Sequence, residues 1–263
     1  MCYDDEAKPP LPPGQTGAYH AEDIVLASAD GNQFSAYLAV PEQSQQPTVQ
    51  VIIYPDVRGL HEFYKELARR FAEIGVTALA LDYFGRTAGM SSRAEGFEFM
   101  PHVDQMTLNS FSADVHAALD YLRMQYDPQR PTFVIGFCMG GTLALLTATN
   151  PDFKFAGVIP FYAGFKRDFG GSGTALDNAE RIIYPVLGLF GGADPGIPEN
   201  LVRELDDRLD KAGVSHHIEI YAGAPHSFFD RRAAVFADAS ADAWRRVMAF
   251  IKGEKQPESE IMA

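Results

Sequence analysis

The amino-acid sequence predicts an α/β protein built on a mostly parallel, doubly wound sheet, with an N-terminal antiparallel hairpin at its edge and helices on both faces. Three observations predict it. From residue 48 onward, short apolar runs of strand character alternate with stretches of helical period. The runs at 48–54 and 76–81 are nearly continuous in apolar residues, as strands covered on both faces are. The chain, at 263 residues, suits one large domain with a well-buried core and is short for two.

Each element follows from local chemistry. Residues 1–20 contain Pro9, Pro10, Pro12 and Pro13, so an extended arm is expected, either wrapped on the domain or disordered. Segments 22–28 and 34–40 alternate apolar with polar around the turn Ala29-Asp30-Gly31-Asn32, and read as the edge hairpin. The first central strand is 48–54. After the loop 55–60, an amphipathic helix over about 61–74 closes at Gly75. A second buried strand, 76–81, leads into 82–107, a long segment with little periodicity and the character of a lid. A helix over 108–125 precedes the stretch Thr132 to Asn150. Then come a strand at 155–161, a Gly-rich loop at 162–179, a strand at 186–190, a helix at 199–212, a strand at 215–221 and a helix at 236–252. The expected organisation is an arm at 1–20, a single domain at 21–253 and a polar tail at 254–263.

Composition narrows the function. Lys and Arg number 22 against 35 Asp and Glu, a net charge of −13, which argues against nucleic acid and anionic membranes as partners. Apolar runs are too short for a membrane span, and the N-terminus is acidic and proline-rich where a secretory signal would be basic and then apolar. A cytoplasmic protein, monomer or small homo-oligomer, is therefore expected. Two cysteines, Cys2 and Cys138, make no disulfide framework. No metal-ligand cluster is visible, and G-F-C-M-G-G lacks the Lys-Ser/Thr ending of a phosphate-binding loop, so no cofactor is expected.

The chemistry centres on Thr132 to Asn150. Phe133, Val134 and Ile135 read as a strand, Gly136 to Gly141 as a sharp turn, and the Leu- and Ala-rich remainder as a helix. That is the context of a nucleophile elbow, with the pattern G-x-C-x-G carrying a thiol in place of the usual hydroxyl. A helix N-terminus favours the thiolate, the attacking form. A lone cysteine among apolar residues is more often buried and inert, so a catalytic role requires an acid and a base elsewhere in the chain. Asp194, in Gly191-Gly192-Ala193-Asp194-Pro195, follows the strand at 186–190. His226, in Ala222-Gly223-Ala224-Pro225-His226-Ser227-Phe228, follows the strand ending at Tyr221. Nucleophile, acid, base is the chain order of the α/β-hydrolase fold. Taken singly, Asp194 reads as a turn residue and His226 as a surface residue; three such positions, each after its own strand, point to a triad.

An acyl-transfer site also needs two donors where negative charge develops. The backbone amides of Met139 and Val57, the latter in Pro55-Asp56-Val57-Arg58-Gly59-Leu60, are the expected pair. Asp56 faces the same cleft or answers the dipole of the helix that follows. Arg58 and Arg86 are candidates for an anionic substrate, with solvated surface groups as the alternative and Arg86 the stronger of the two. His61 is the one other histidine placed to line the pocket. His216 and His217, alternating along a strand, read as structural.

Together P-D-V-R-G-L, D-Y-F-G-R, G-F-C-M-G-G, G-G-A-D-P and A-P-H-S-F make the chain resemble the dienelactone hydrolase family, the carboxymethylenebutenolidase-like α/β-hydrolases, over about residues 22–252. The resemblance implies Cys138, Asp194 and His226 as triad, with the Val57 and Met139 amides as oxyanion hole. In the dienelactone-cleaving members the loop acid is a glutamate that pairs with the thiol; Asp56 stands there, one methylene shorter. Those members grip the substrate carboxylate with two arginines. Arg86 matches the first, and Arg231 lies beside the place of the second. The expected function is a cysteine-dependent hydrolase of a lactone or small ester, anionic ones included, working through an acyl-thioester. The alternatives are an acyltransferase on the same fold and a redox-sensing thiol module.

Overall fold

Residues 19–41 form a hairpin of two strands, Tyr19–Ala27 (β1) and Gln33–Pro41 (β2). The computed structural model describes residues 3–14, 16–42, 48–230 and 234–257. Beyond the hairpin the chain runs Gln50–Tyr54 (β3), Glu62–Glu73 (α1), Thr77–Leu81 (β4), Gly85–Ala88 (α2), Met100–Val103 (α3), Leu108–Gln125 (α4) and Thr132–Phe137 (β5). It continues through Met139–Thr147 (α5), Gly157–Phe161 (β6), Val186–Gly191 (β7), Glu199–Ala212 (α6), His216–Tyr221 (β8) and Ala237–Lys252 (α7). The strands form one sheet in the order β1-β2-β4-β3-β5-β6-β7-β8. Only β2 runs antiparallel to its neighbours; β3 to β8 are mutually parallel. This is the mostly parallel sheet with an antiparallel edge pair that the sequence predicts. Within the pair, β1 alone is the edge, because β2 also bonds β4.

Burial explains why the central runs are continuous. Every residue of β3, β4, β5, β6 and β7 is buried, so both faces of the sheet must be apolar. Helix α1 buries Phe63, Tyr64, Leu67, Ala68, Phe71 and Ala72, one stripe at helical spacing. Helix α5 is buried along its whole length, which is why its sequence shows no polar face.

Two expectations change, and of the two courses open to the arm one is taken. The segment 82–107, expected to lack periodic structure, holds the two short helices α2 and α3. The strand expected at 155–161 begins at Gly157. The proline-rich arm is packed on the domain: Tyr3, Ala7, Pro9, Pro10 and Pro12 are buried, and the Trp244 indole N–H donates to the Pro10 carbonyl at 3.0 Å. No helix among the described residues is long and apolar enough to cross a membrane.

The strand order reverses between β3 and β5, where the crossovers through α1 and α5 diverge. Loops leaving the carboxyl ends of these two strands are therefore adjacent, and a crevice opens there. They are the loop 55–60 and the turn at Cys138.

Candidate active site

The turn at Cys138 is forced by close approach. Cys138 has φ 55° and ψ −113°, a left-handed conformation that a β-carbon disfavours. A β-carbon on Gly136 would lie 2.1 Å from the Gly140 carbonyl oxygen, and one on Gly140 would lie 2.2 Å from that of Tyr54. Only glycines on both sides let the β5–α5 turn close and pack on the end of β3. The result seats the half-buried thiol at the N-terminus of α5, and the Cys138 N–H donates to the Phe161 carbonyl at 3.0 Å.

Asp194 and His226 come together because their loops are laced. The Gly192 N–H donates to the Tyr221 carbonyl at 2.8 Å, and the Ala193 N–H to the Ala224 carbonyl at 2.9 Å. Across this lacing, His226 Nδ1 lies 2.5 Å from Asp194 Oδ2. The other Asp194 oxygen accepts the Gly196 N–H at 2.8 Å. Burial alone would raise the Asp194 carboxyl; the His226 hydrogen bond and charge and the amides of Gly196 and Ile197 hold it below its ordinary value. Burial alone would likewise depress His226. Hydrogen bonds to Asp194 and to Cys138 outweigh it and carry the imidazole up to about 9. Its ring also lies 4.9 Å, centroid to centroid, from Tyr162. Tyr162 and Ser227, like Cys138, are non-glycine residues with positive φ, so backbone strain collects around the imidazole.

Cys138, Met139, Val57 and His226 line one cavity of about 380 Å³, with Phe99, Met100, Phe169, Ile197, Thr142, Gly164, Gly196 and Arg167. The amides of Val57 and Met139 donate no hydrogen bond among the described residues. The Val57 turn is set by Asp56, whose Oδ1 accepts the Arg58 N–H at 2.9 Å and whose carbonyl accepts the Gly59 N–H at 3.0 Å.

The remaining candidates lie elsewhere. Arg86, expected at the substrate, instead clips the β1–β2 turn and α2 to α4. It pairs with Asp30 and donates to Asp114 at 2.7 Å and to the Ser110 carbonyl at 3.2 Å, because Asp114 presents a carboxylate only 2 % exposed. Arg58 is neither at the cavity nor on the surface: it is fully buried and paired with Asp5 at 2.6 Å. Asp56, fully buried beneath its loop, lies 3.5 Å from His61. His61 lines a different cavity, with Asp5, Asp23, Glu62 and Asp82 among its neighbours. Arg231 falls outside the described residues. His216 bonds the Val214 carbonyl and Asp206.

The residue missed is Arg167. It lies in the Gly-rich loop after β6, on the cavity wall, 3.3 Å from Asp104 at the end of α3 and over the Phe169 ring. Its position beyond a strand's carboxyl end was the available signal. Phe99 and Met100, from the aperiodic segment, carried none.

A family model described as the dienelactone hydrolase family matches residues 34–254. A Yersinia pestis protein named "Putative carboxymethylenebutenolidase" is 28% identical over 240 residues, covering 89% of this chain and 88% of its own. A Bradyrhizobium protein named "Probable 2-oxo-3-(5-oxofuran-2-ylidene)propanoate lactonase" is 28% identical over 239 residues, 88% of this chain and 94% of its own. Among solved structures, a "Putative Dienelactone Hydrolase" from Klebsiella pneumoniae superposes with TM-score 0.79 at 26% identity, covering 90% of this chain and 99% of that one. The acylaminoacyl peptidase of Pyrococcus horikoshii, at 17% identity and TM-score 0.71, shares the fold over 94% of this chain and 44% of its own.

Proposed function

Since this chain belongs to the dienelactone hydrolase family, we propose that it is a cysteine-dependent hydrolase of a lactone or small carboxylic ester, with Cys138, His226 and Asp194 as its catalytic group. The observation that carries the reading is the Asp194–His226 contact of 2.5 Å beside a cavity that Cys138 also lines.

With Nδ1 committed to Asp194, Nε2 is the imidazole nitrogen available to the sulfur. The raised His226 favours the imidazolium, so the thiol proton rests on the ring and sulfur attacks as thiolate. Attack on the carbonyl carbon forms the C–S bond and moves the carbonyl π pair to oxygen. The amides of Val57 and Met139, which line the same cavity, receive that oxyanion in this reading. Collapse breaks the C–O bond, and the departing alkoxide takes the proton from Nε2. Water, deprotonated by the now neutral imidazole, attacks the thioester; the acid leaves and Cys138 recovers its resting state. Asp194 keeps the ring oriented and stabilises its cation throughout.

The cavity suits a compact acyl group, since Phe99, Met100, Phe169 and Ile197 make most of its wall apolar. Arg167 supports an anionic substituent on the substrate. Asp104, its partner at 3.3 Å, is mostly exposed and is exchanged for a substrate anion at small cost. Asp56 is assigned to shaping the turn that presents the Val57 amide.

A panel of lactones and short-chain esters, with and without a carboxylate, tests the proposal. Cys138→Ala should remain folded and lose at least ~10³-fold in kcat; retained turnover would contradict the assignment. Arg167→Gln should raise KM for the carboxylate-bearing members by roughly tenfold, the worth of one charge-assisted hydrogen bond, and leave the neutral ones unchanged. Acyl transfer to added alcohol or amine in preference to water would mark an acyltransferase.

A further inference from the structure

The arm precedes both the sheet and the part of the chain that the family model matches, yet its contacts converge on the site. Tyr3 is 2 % exposed and stacks on Phe63, ring centroids 3.8 Å apart and planes 11° apart. Its hydroxyl hydrogen-bonds the Tyr162 hydroxyl and also reaches the Phe229 carbonyl at 3.2 Å. Tyr162 is the ring against His226. Two residues on, Asp5 accepts from Arg58 at 2.6 Å, and the Tyr3 carbonyl accepts from the same guanidinium at 3.2 Å. Arg58 directly follows Val57. The second Asp5 oxygen accepts the Glu95 N–H at 2.9 Å. Farther along, the Lys8 N–H donates to Asp230, in the loop of His226, at 3.3 Å.

We propose that the arm is part of the active-site machinery: Asp5, acting through Arg58, positions the Val57 amide, and Tyr3, acting through Tyr162, positions His226. The inference rests on the hydrolase reading of the site. Its physical ground is that both intermediaries depend on the arm. Among the described residues, the partners of the buried Arg58 guanidinium are Asp5 and the Tyr3 carbonyl. Without them a fully desolvated cation keeps only the through-space attraction of Asp56, loses every hydrogen-bonded partner of its guanidinium and must move, taking the 55–60 turn with it. The Glu95 amide, joined by the Arg58 hydrogen bond and charge, outweighs burial, holds the Asp5 carboxyl below its ordinary value and keeps it anionic opposite that cation. Tyr162, at φ 36°, is a strained residue whose ring is fixed at its outer end by the Tyr3 hydroxyl. Both Asp5 and Tyr3 are positioning residues, since neither lines the cavity.

Two readouts separate positioning from mere cover. One is kcat and KM on p-nitrophenyl acetate. The other is the pH profile of Cys138 alkylation by iodoacetamide, read by peptide mass spectrometry so that Cys2 is scored apart. Alkylation at sulfur needs the thiolate–imidazolium pair and no oxyanion donor. Asp5→Asn should therefore lower kcat by roughly tenfold with KM nearly unchanged and leave the alkylation profile in place, with Asp5→Glu recovering most of the loss. Tyr3→Phe keeps the stacked ring and removes only the hydroxyl; it should lower kcat and shift the alkylation midpoint. Unchanged kcat and alkylation in both variants, with only a lower thermal midpoint, would reduce the arm to cover and overturn the proposal. If the wild type turns over no ester, the hydrolase reading fails by itself. The alkylation arm still decides on Tyr3, and an unmoved midpoint counts against it.

Discussion

Cys138 and its neighbours show how strongly single side chains depend on what approaches them. The glycines at 136 and 140 could be read from the sequence because their reason is local: the turn admits no β-carbon. The positions of Asp194 and His226 were legible for a similar reason, the first following an apolar run and the second an alternating segment, both of strand character. Arg86 and Arg58 were not, because their partners lie 28 and 53 residues away and no local pattern announces a carboxylate there. At this scale the prediction concerns His226. Its value is raised, so the imidazolium persists up to about pH 9. The stabilisation its pairing contributes is complete below the unfolded value near 6.5 and is lost as pH rises through 9. In a pH–rate series, kcat/KM for an alkyl ester or lactone should fall above about pH 9, where no proton remains for the alkoxide. A p-nitrophenyl ester, whose leaving group needs none, should show a weaker limb. Asp194→Asn removes one of the two upward influences and leaves Cys138 alone against burial, so the limb should move acidward while kcat drops by ~10³-fold or more.

Among the elements, the segment 82–107 is least legible and most dependent on one ion pair. Its helices span four residues each, too short to leave a periodic trace. Arg93 holds the segment down. Its guanidinium grips Asp82 with Nε at 3.1 Å and Nη2 at 2.8 Å, and it lies over the Phe97 ring. Asp82 also accepts the amides of Leu60 and Phe84, each at 3.0 Å, so the same carboxylate anchors the end of the 55–60 loop. Both partners are nearly inaccessible, at 3% and 1% side-chain exposure. Arg93→Ala leaves a buried carboxylate without its counter-charge and should cost about 3 kcal/mol or more in urea denaturation. Arg93→Lys should recover little, since an ammonium cannot reproduce the two-point grip. Because Phe99 and Met100 lie on the same segment, KM should rise in the folded fraction of both variants.

For the whole molecule, the mostly parallel direction of the sheet follows from runs of buried residues and from the helical connections between them, and these the sequence displays. What it does not display is the surface of the cavity, which is assembled from the 55–60 loop, α3, the elbow and the 162–179 loop at once. Net charge acts at this scale too. A protein of charge −13 repels an anionic substrate at long range, whereas Arg167 acts only within the cavity. Raising ionic strength from ~10 to ~150 mM should therefore increase kcat/KM for a carboxylate-bearing ester, by roughly two- to threefold, and leave a neutral ester of equal size unaffected. A decrease for the anionic ester would mean that the local attraction governs encounter.

The packing of the arm has a consequence for biosynthesis. Tyr3 and Pro10 leave the ribosome well before Phe229 and Trp244, their hydrogen-bonding partners, which lie 226 and 234 positions downstream. The arm is thus seated only after the residues around 229 and 244 have emerged, and contacts that span so much chain close slowly. A nascent chain stalled before α7 lacks the Trp244 indole that holds the Pro10 carbonyl and so cannot yet seat its arm.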